Sequence, residues 1–177
     1  MAQRIDLRAY QESIATRLAA AQSGAGVPAL LGIESAGVRW LVDLPAAGEV
    51  LPLPALAPVP LTQAWFAGLA SVHGELQAVV DFAAFQGAAP TSHDAAARLL
   101  RIGARLGGNV ALLVARVHGL KRTDALFRAE AGDDTLTPLP AWYGARFTDA
   151  QGESWVKLDL ERLLADPVIL DAVLREI

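Results

Sequence analysis

The chain has 177 residues, a length that suits one domain with a hydrophobic core. Its formal net charge of −4 and sequence pI near 5.3 argue against nucleic-acid binding, since that function needs a basic patch. It contains no cysteine, so a disulfide framework is excluded and a reducing cytoplasm is expected. Met1–Arg8 lacks the apolar region of a signal peptide, and no apolar run approaches the ~20 residues that span a bilayer.

The first predicted element is an amphipathic helix over Leu7–Ala21. Asp6 is a suitable N-cap, and glycines at 24 and 26 end the helix. Its apolar face is formed by Leu7, Tyr10, Ile14 and Leu18. Residues 1–27 are therefore predicted to be a helical extension, and residues 28–177 the main domain.

Short apolar runs separated by turn residues follow. Pro28–Ile33 and Val38–Asp43 flank the turn-forming residues 34–37 and predict a first hairpin. Four prolines between positions 52 and 60 then disfavour a helix and predict an extended arm. Thr62–Gly68 is long enough for about one helical turn closed by glycine.

A second hairpin is predicted next in the chain. Leu69–His73 and Leu76–Phe82 are apolar runs around Gly74-Glu75, and they are rich in valine. The aromatic residues Trp65 and Phe66 before this hairpin are interpreted as core anchors, as is Trp142 later in the chain.

The segment Asp94–Leu106 supports two interpretations. Read alone, it has the composition of a helix. Read with the next segment, Leu99–Arg105 and Val110–Val117 flank a Gly-Gly-Asn turn. Because a glycine at position 103 would weaken a helix by about 1 kcal/mol relative to alanine, we predict a hairpin, with helical structure kept at most in residues 94–97.

The rest of the chain is predicted to alternate strands and loops. An irregular strand over Gly119–Phe127 leads into a surface loop over Glu130–Pro140. Trp142–Phe147 and Ser154–Leu160 then predict a strand pair. A short helical piece covers Leu160–Ala165, and Asp166-Pro167 caps a final helix that continues to the C-terminus.

No motif in the sequence predicts catalysis, a cofactor or a metal. Ser92-His93-Asp94 has the residue types of a catalytic triad, but adjacent residues cannot converge as a triad does, so an N-cap in a linker is favoured. The three histidines lack metal-ligand spacing. Gly107-Gly108 is interpreted as a turn, because the Gly-Lys-Ser/Thr continuation of a phosphate loop is missing.

The stretch Glu49–Phe82 resembles the CheW family, bacterial adaptors that join chemoreceptors to a histidine kinase. The residues that follow the family motif in order are Ala47-Gly48-Glu49-Val50, Val59-Pro60, Trp65-Phe66, Gly68-Leu69-Ala70-Ser71-Val72-His73-Gly74 and Val80-Asp81-Phe82. Pro60–Ala70 looks most like the PilI-like branch, which serves type IV pilus chemosensory systems. Ser71 and His73 stand where the family has asparagine and arginine.

The resemblance implies an all-β fold of two small five-stranded β-barrels packed together, with a helix at each end. It also implies a non-catalytic cytoplasmic adaptor, without cofactor, that binds the regulatory domain of a CheA-like histidine kinase and the cytoplasmic tip of a chemoreceptor, and so reaches membrane receptor arrays through its partners. Receptor-side contacts are expected at Ala47, Glu49, Gly68, Ser71 and His73. Kinase-side contacts are expected at Val114, Arg116 and Val117, beside Ala115, which replaces a family aspartate.

Two alternatives remain open on the sequence alone. The changes at Ser71, His73 and Ala115 allow a degenerate homologue that competes with an adaptor or fills a structural place in an array. The resemblance implies that Glu49 and His73 lie near each other at the receptor-side surface, and in a degenerate homologue this contact would be lost. A small-molecule-binding barrel is the other alternative, and it requires an enclosed polar pocket.

Overall fold

A computed structural model describes residues 29–107, 109–129 and 139–171. The predicted helix Leu7–Ala21, residues 172–177 and most of the predicted loop Glu130–Pro140 lie outside these ranges. In chain order the elements are β1 (Ala29–Ser35), β2 (Val38–Asp43), β3 (Ala47–Pro52), β4 (Phe66–Val72), β5 (Glu75–Asp81), α1 (Phe82–Phe85), β6 (Arg98–Ile102), β7 (Val110–Val114), β8 (Arg116–Arg122), β9 (Leu126–Arg128), β10 (Tyr143–Asp149), β11 (Ser154–Leu158), α2 (Leu160–Leu164) and α3 (Pro167–Leu170).

The strands form two sheets. One has six strands in the order β8-β1-β2-β11-β10-β9, and the other has five in the order β3-β6-β7-β5-β4. Neighbours are antiparallel except for β2 with β11 and β5 with β7. The predicted all-β class with two subdomains is confirmed. The larger sheet has six strands and not five, because β9 returns after a 3₁₀ turn over Thr123–Ala125 to pair with β10.

The predicted hairpins β1–β2 and β4–β5 are confirmed, and local turn chemistry explains both. The central residues of the first turn, Ala36 and Gly37, have φ of 53° and 73°. Those of the second, His73 and Gly74, have φ of 51° and 83°. Two successive positive φ angles are typical of the two-residue turn whose twist matches that of antiparallel strands.

The strand interpretation of residues 98–114 is also confirmed, since β6 and β7 pair antiparallel. Their connection is longer than a Gly-Gly-Asn turn, because it includes a 3₁₀ turn over Ala104–Leu106. Asp94 accepts hydrogen bonds from the backbone nitrogens of Ala96 and Ala97 at 2.7 and 3.2 Å. It therefore caps a single turn before β6, as the N-cap interpretation of Ser92-His93-Asp94 predicted.

The extended arm after β3 turns back along the outer edge of β4. Ala57 and Leu69 exchange two backbone hydrogen bonds of 2.8 and 2.9 Å. The predicted helical turn over Thr62–Gly68 is wrong: a tight turn from Gln63 to Phe66 leads directly into β4, and Gly68 lies within that strand at φ 127°. Glycine is required at position 68 because the arm lies so close to β4 that a Cβ would be 2.4 Å from the carbonyl oxygen of Ala57.

Aromatic side chains fill the core between the two sheets. Trp40 of β2 lies 5.4 Å from the ring of Phe82 and 5.7 Å from that of Trp142. Trp65 and Trp142 are buried, as predicted for core anchors, and Phe66 packs against the same cluster. A second, smaller apolar cluster is made mainly by side chains of the five-stranded sheet, such as Val79, Leu99 and Leu113, with Leu53 and Leu56 of the arm packed against it.

One nearly continuous length of chain joins the two sheets. β7 is an inner strand of the five-stranded sheet, and β8 is an edge strand of the six-stranded sheet. Only Ala115 separates them. The backbone nitrogen of Ala115 donates a 2.9 Å hydrogen bond to the carbonyl oxygen of Glu34 in β1.

Aspartates cap the two short C-terminal helices, and of these caps Asp166-Pro167 was predicted from the sequence. Asp159 caps α2 by accepting from the backbone nitrogen of Arg162. Asp166 caps α3 by accepting from that of Val168 at 2.9 Å, with Pro167 at the first helical position. Both helices begin where the sequence predicted them, but α3 ends at Leu170, with Asp171 as its C-cap, and does not continue as predicted. No helix among the described residues is long and apolar enough to cross a membrane.

Asp149, at the end of β10, is a buried carboxylate whose hydrogen bonds link three strands of the six-stranded sheet. Burial alone would raise the pKa of Asp149, but hydrogen bonds from Trp155 Nε1, Lys121 Nζ and the backbone nitrogen of Gln151 outweigh that effect and lower its pKa. A carboxyl whose pKa is lowered by folding stabilises the fold while it is ionised.

We expect this stabilisation to be complete above the ordinary aspartate pKa of 3.8 and to be lost as the pH falls through the lower folded-state value. Asp149→Asn should reduce the free energy of unfolding by roughly 1–3 kcal/mol near neutral pH, because it removes the charge-assisted hydrogen bonds. Urea unfolding of both proteins across this pH range checks the expectation. A difference between them that did not shrink in acid would contradict it.

Candidate functional site

The site is built where the two edge strands of the five-stranded sheet approach each other. Glu49 lies on β3 and His73 follows β4, at opposite edges of the sheet. His73 Nε2 nevertheless lies 3.0 and 3.2 Å from the two carboxylate oxygens of Glu49. The sheet is therefore curled strongly enough at this end for its two edges to be bridged by side chains.

The turn conformation of His73 places its side chain at the tip of the hairpin. Its φ of 51° is unusual for a residue with a Cβ, although histidine is among the types enriched there. Its side chain is 64% exposed, and that of Glu49 is 43% exposed. Because an imidazole carries charge only when protonated, this pair is a full ion pair only in that form.

A second ion pair lies beside the first and was not predicted from the sequence. Arg101 of β6 lies opposite Glu49 in register, and its guanidinium pairs with Glu75 at the start of β5. We call Glu49, His73, Glu75 and Arg101 the polar rim. Two carboxylates face one guanidinium and one imidazole, so the rim is acidic whenever the imidazole is neutral.

Two exposed side chains lie on the hairpin that carries His73 and Glu75, on the face opposite to Glu75. Ser71 of β4 is exposed, as a contact residue requires, and it lies opposite Leu76 of β5. Leu76 is 66% exposed, whereas the sequence predicts it only as part of a strand and not as a surface residue. The signal available in the sequence was its position next to the hairpin turn, where the two strands leave the packed core.

The other two expected receptor-side residues have buried positions. Ala47 is 8% exposed and pairs with Ile102, so it belongs to the core. Gly68 is buried beneath the arm. Of the five expected residues, Glu49, Ser71 and His73 have side chains that reach the solvent, whereas Ala47 and Gly68 are buried in the strands that carry them.

The expected kinase-side residues also divide by burial. Val114 is completely buried at the end of β7, so its side chain cannot supply a surface contact in this fold. Arg116 is exposed at the start of β8, and Val117 is half-buried. Arg116 is therefore the member of this group that offers a free side-chain surface.

No group of three or more potential metal-ligating side chains converges within the part of the chain that the structure describes. Among the described residues, the inside of the five-stranded sheet is lined mostly by apolar side chains, whereas a small-molecule-binding barrel requires an enclosed polar pocket. An open surface groove of about 690 Å³ lies on the six-stranded sheet, and Arg39 and Tyr143 are among its lining residues.

Comparisons with known proteins agree with this architecture. A family model described as "CheW-like domain" matches residues 29–168. Among solved structures, the scaffolding protein TtCheW from Thermoanaerobacter tengcongensis is similar, with a TM-score of 0.64 and 14% sequence identity over 81% of this chain and 96% of that one. At this identity the likeness concerns the fold. A search of curated proteins finds no match.

Proposed function

Because the chain belongs to the family of CheW-like domain proteins, we propose that it is a non-catalytic adaptor in chemosensory signalling. It binds the regulatory domain of a CheA-like histidine kinase and the cytoplasmic tip of a chemoreceptor, and it therefore acts in the cytoplasm. The observation that carries the proposal is the exposed Glu49–His73 contact, made across the two edges of one sheet. The motif around Pro60–Ala70 favours a type IV pilus system within this class.

In this proposal the adaptor couples receptor and kinase by binding both of them at the same time. Receptor states that bind the polar rim with different affinity change the occupancy or orientation of the kinase held by the same molecule, and by linkage the kinase influences receptor binding equally. The rim provides charge and hydrogen-bonding groups, which favour specificity. Leu76, exposed on the same hairpin, provides an apolar side chain of the kind that such surfaces use as an anchor.

The change from the family's arginine to His73 alters the chemistry of the rim without removing it. A guanidinium offers a fixed fork that binds a carboxylate bidentately, whereas an imidazole has a shorter reach and a conditional charge. Here His73 Nε2 still lies within 3.2 Å of both Glu49 oxygens. Retention of this contact favours the adaptor over a degenerate homologue that has lost its receptor surface.

Leu76→Ala is expected to weaken binding of a receptor-tip fragment roughly 5- to 10-fold, because an exposed apolar anchor is truncated. The free energy of unfolding should change by less than about 0.5 kcal/mol, since the side chain is largely in solvent. Isothermal titration calorimetry and urea unfolding measure the two effects. Leu120→Ala, at a leucine that is 61% exposed on the other sheet, is the matched control and should leave receptor binding unchanged.

Titration of the purified protein against the kinase regulatory domain, and separately against the receptor-tip fragment, tests the proposed function. Binding to both at roughly micromolar affinity or tighter is the expected result. Binding to the kinase domain alone would replace the proposal with a competitor or array subunit that lacks receptor coupling. Binding to neither partner by a folded sample would overturn it.

A further inference from the structure

Two polar side chains of the five-stranded sheet carry buried nitrogen or oxygen atoms that lack hydrogen-bond partners among the described residues. Gln77 of β5 is completely buried, and neither its side-chain oxygen nor its nitrogen has a hydrogen-bond partner among the described residues. The Nε atom of Arg101 is buried and equally without one in that part of the chain. Buried polar groups are normally paired with protein or with ordered water, because an unpaired one costs free energy.

Strand alternation places these groups in the same interior. Gln77 shares a face of β5 with Val79, and Arg101 shares a face of β6 with Leu99, since residues two apart point to the same side. Val79 and Leu99 both belong to the apolar cluster enclosed by this sheet. The amide of Gln77 and the buried Nε of Arg101 therefore face that cluster from two different strands.

The contact of Arg101 with Glu75 brings the guanidinium towards Gln77. Glu75 precedes Gln77 by two residues on the same face of β5. In register Arg101 lies opposite Ala111 of β7, the strand between β6 and β5. The small side chain of Ala111 leaves space for the longer one of Arg101 to cross β7. The three unpaired atoms thus lie beneath the polar rim.

We propose that the five-stranded sheet holds ordered water between Gln77 and Arg101, and that this water positions Arg101 in the polar rim. Water matches the groups present, because it can accept from Arg101 Nε and from the Gln77 amide nitrogen and can donate to the Gln77 oxygen. An apolar ligand would leave all three unpaired. The positioning role rests on the proposed function, whereas the hydration site does not.

Nuclear Overhauser contacts between water and side-chain NH protons test the hydration site directly in the full-length protein. Water cross-peaks are expected at both the Gln77 amide and the Arg101 Nε proton. A crystal structure at high resolution should show water within hydrogen-bond distance of both groups. A direct hydrogen bond between Gln77 and Arg101, with no water cross-peak at either, would overturn the site.

Gln77→Leu tests the positioning role. It replaces the amide by an apolar side chain of similar size, so burial of the amide no longer costs free energy, whereas loss of the water leaves Arg101 Nε unpaired. The two effects oppose each other, so the protein should stay folded while the water cross-peak at Arg101 Nε is lost. Receptor-tip binding should weaken roughly 3- to 10-fold, with kinase-domain binding unchanged. Val72→Ala, an apolar truncation on the same inner face of β4, controls for general disturbance of the interior.

The outcomes separate the two claims. Unchanged receptor affinity in Gln77→Leu, with the water lost, would overturn the positioning role. An equal loss of affinity in Val72→Ala would overturn it as well. If wild-type protein bound no receptor fragment, the proposed function would fail, and the wild-type water cross-peaks would still decide the hydration site.

Discussion

Replacing Glu49 with lysine is expected to weaken receptor-tip binding roughly 10- to 100-fold. The new ammonium would lie where the carboxylate now meets His73, and opposite Arg101 in register. It would turn an acidic rim into a basic one and remove the only acceptor that holds the hairpin tip to β3 among the hydrogen bonds the structure describes for His73.

Folding should be affected far less than binding. An exposed ion pair contributes about 0–1 kcal/mol, and the carboxylate of Glu49 is 43% exposed. Urea unfolding should therefore give nearly the wild-type free energy, and binding of the kinase domain should be retained.

The matched control is Glu161→Lys, which makes the same charge change at an exposed position on α2. If both variants lost receptor binding equally, net charge and not the rim would explain the effect. If Glu49→Lys instead lost several kcal/mol of stability, Glu49 would be a structural residue and its assignment to the receptor surface would be wrong.

Gly68→Ala is expected to reduce the free energy of unfolding by about 2–4 kcal/mol, the largest loss among the substitutions considered. Two costs combine. The backbone at φ 127° strains any residue with a Cβ, and the new methyl carbon would lie 2.4 Å from the carbonyl oxygen of Ala57. Relief of that clash must break the two hydrogen bonds between Ala57 and Leu69.

Gly152→Ala separates these costs. Gly152 has φ of 80° in an open turn, and a Cβ there would meet nothing within 4 Å. It should lose only about 1–2 kcal/mol, the cost of the left-handed conformation. Urea unfolding and proteolysis of the arm compare the two variants. Equal losses would show that the arm yields easily and that its contact with β4 contributes little.

The elements that were predicted correctly are those determined by neighbouring residues. The β1–β2 and β4–β5 hairpins depend on two-residue turns with positive φ, at Ala36-Gly37 and His73-Gly74. Both hairpins were predicted, although the second turn was placed one residue too late, at Gly74-Glu75. Gly103 correctly separated strand from helix in the segment after Asp94, because it is unfavourable in a helix interior.

The elements that were missed depend on contacts between distant residues. Gly68 was interpreted as the end of a helical turn, whereas its conformation depends on Ala57 in the arm beside it. The pair of Arg101 with Glu75 joins residues 26 positions apart on strands that are not neighbours. Strand order determines such a pair, and single-sequence patterns do not specify strand order. The contact of Glu49 with His73 was expected only through family resemblance, for the same reason.

The passage of the chain from β7 to β8 determines how the molecule bears load. Only Ala115 separates the two strands, and its backbone is bonded to Glu34 of β1. The two sheets are therefore joined by a short, hydrogen-bonded connection and not by a flexible linker. We expect a displacement at one sheet to reach the other as a rigid-body movement, without a second internal conformation.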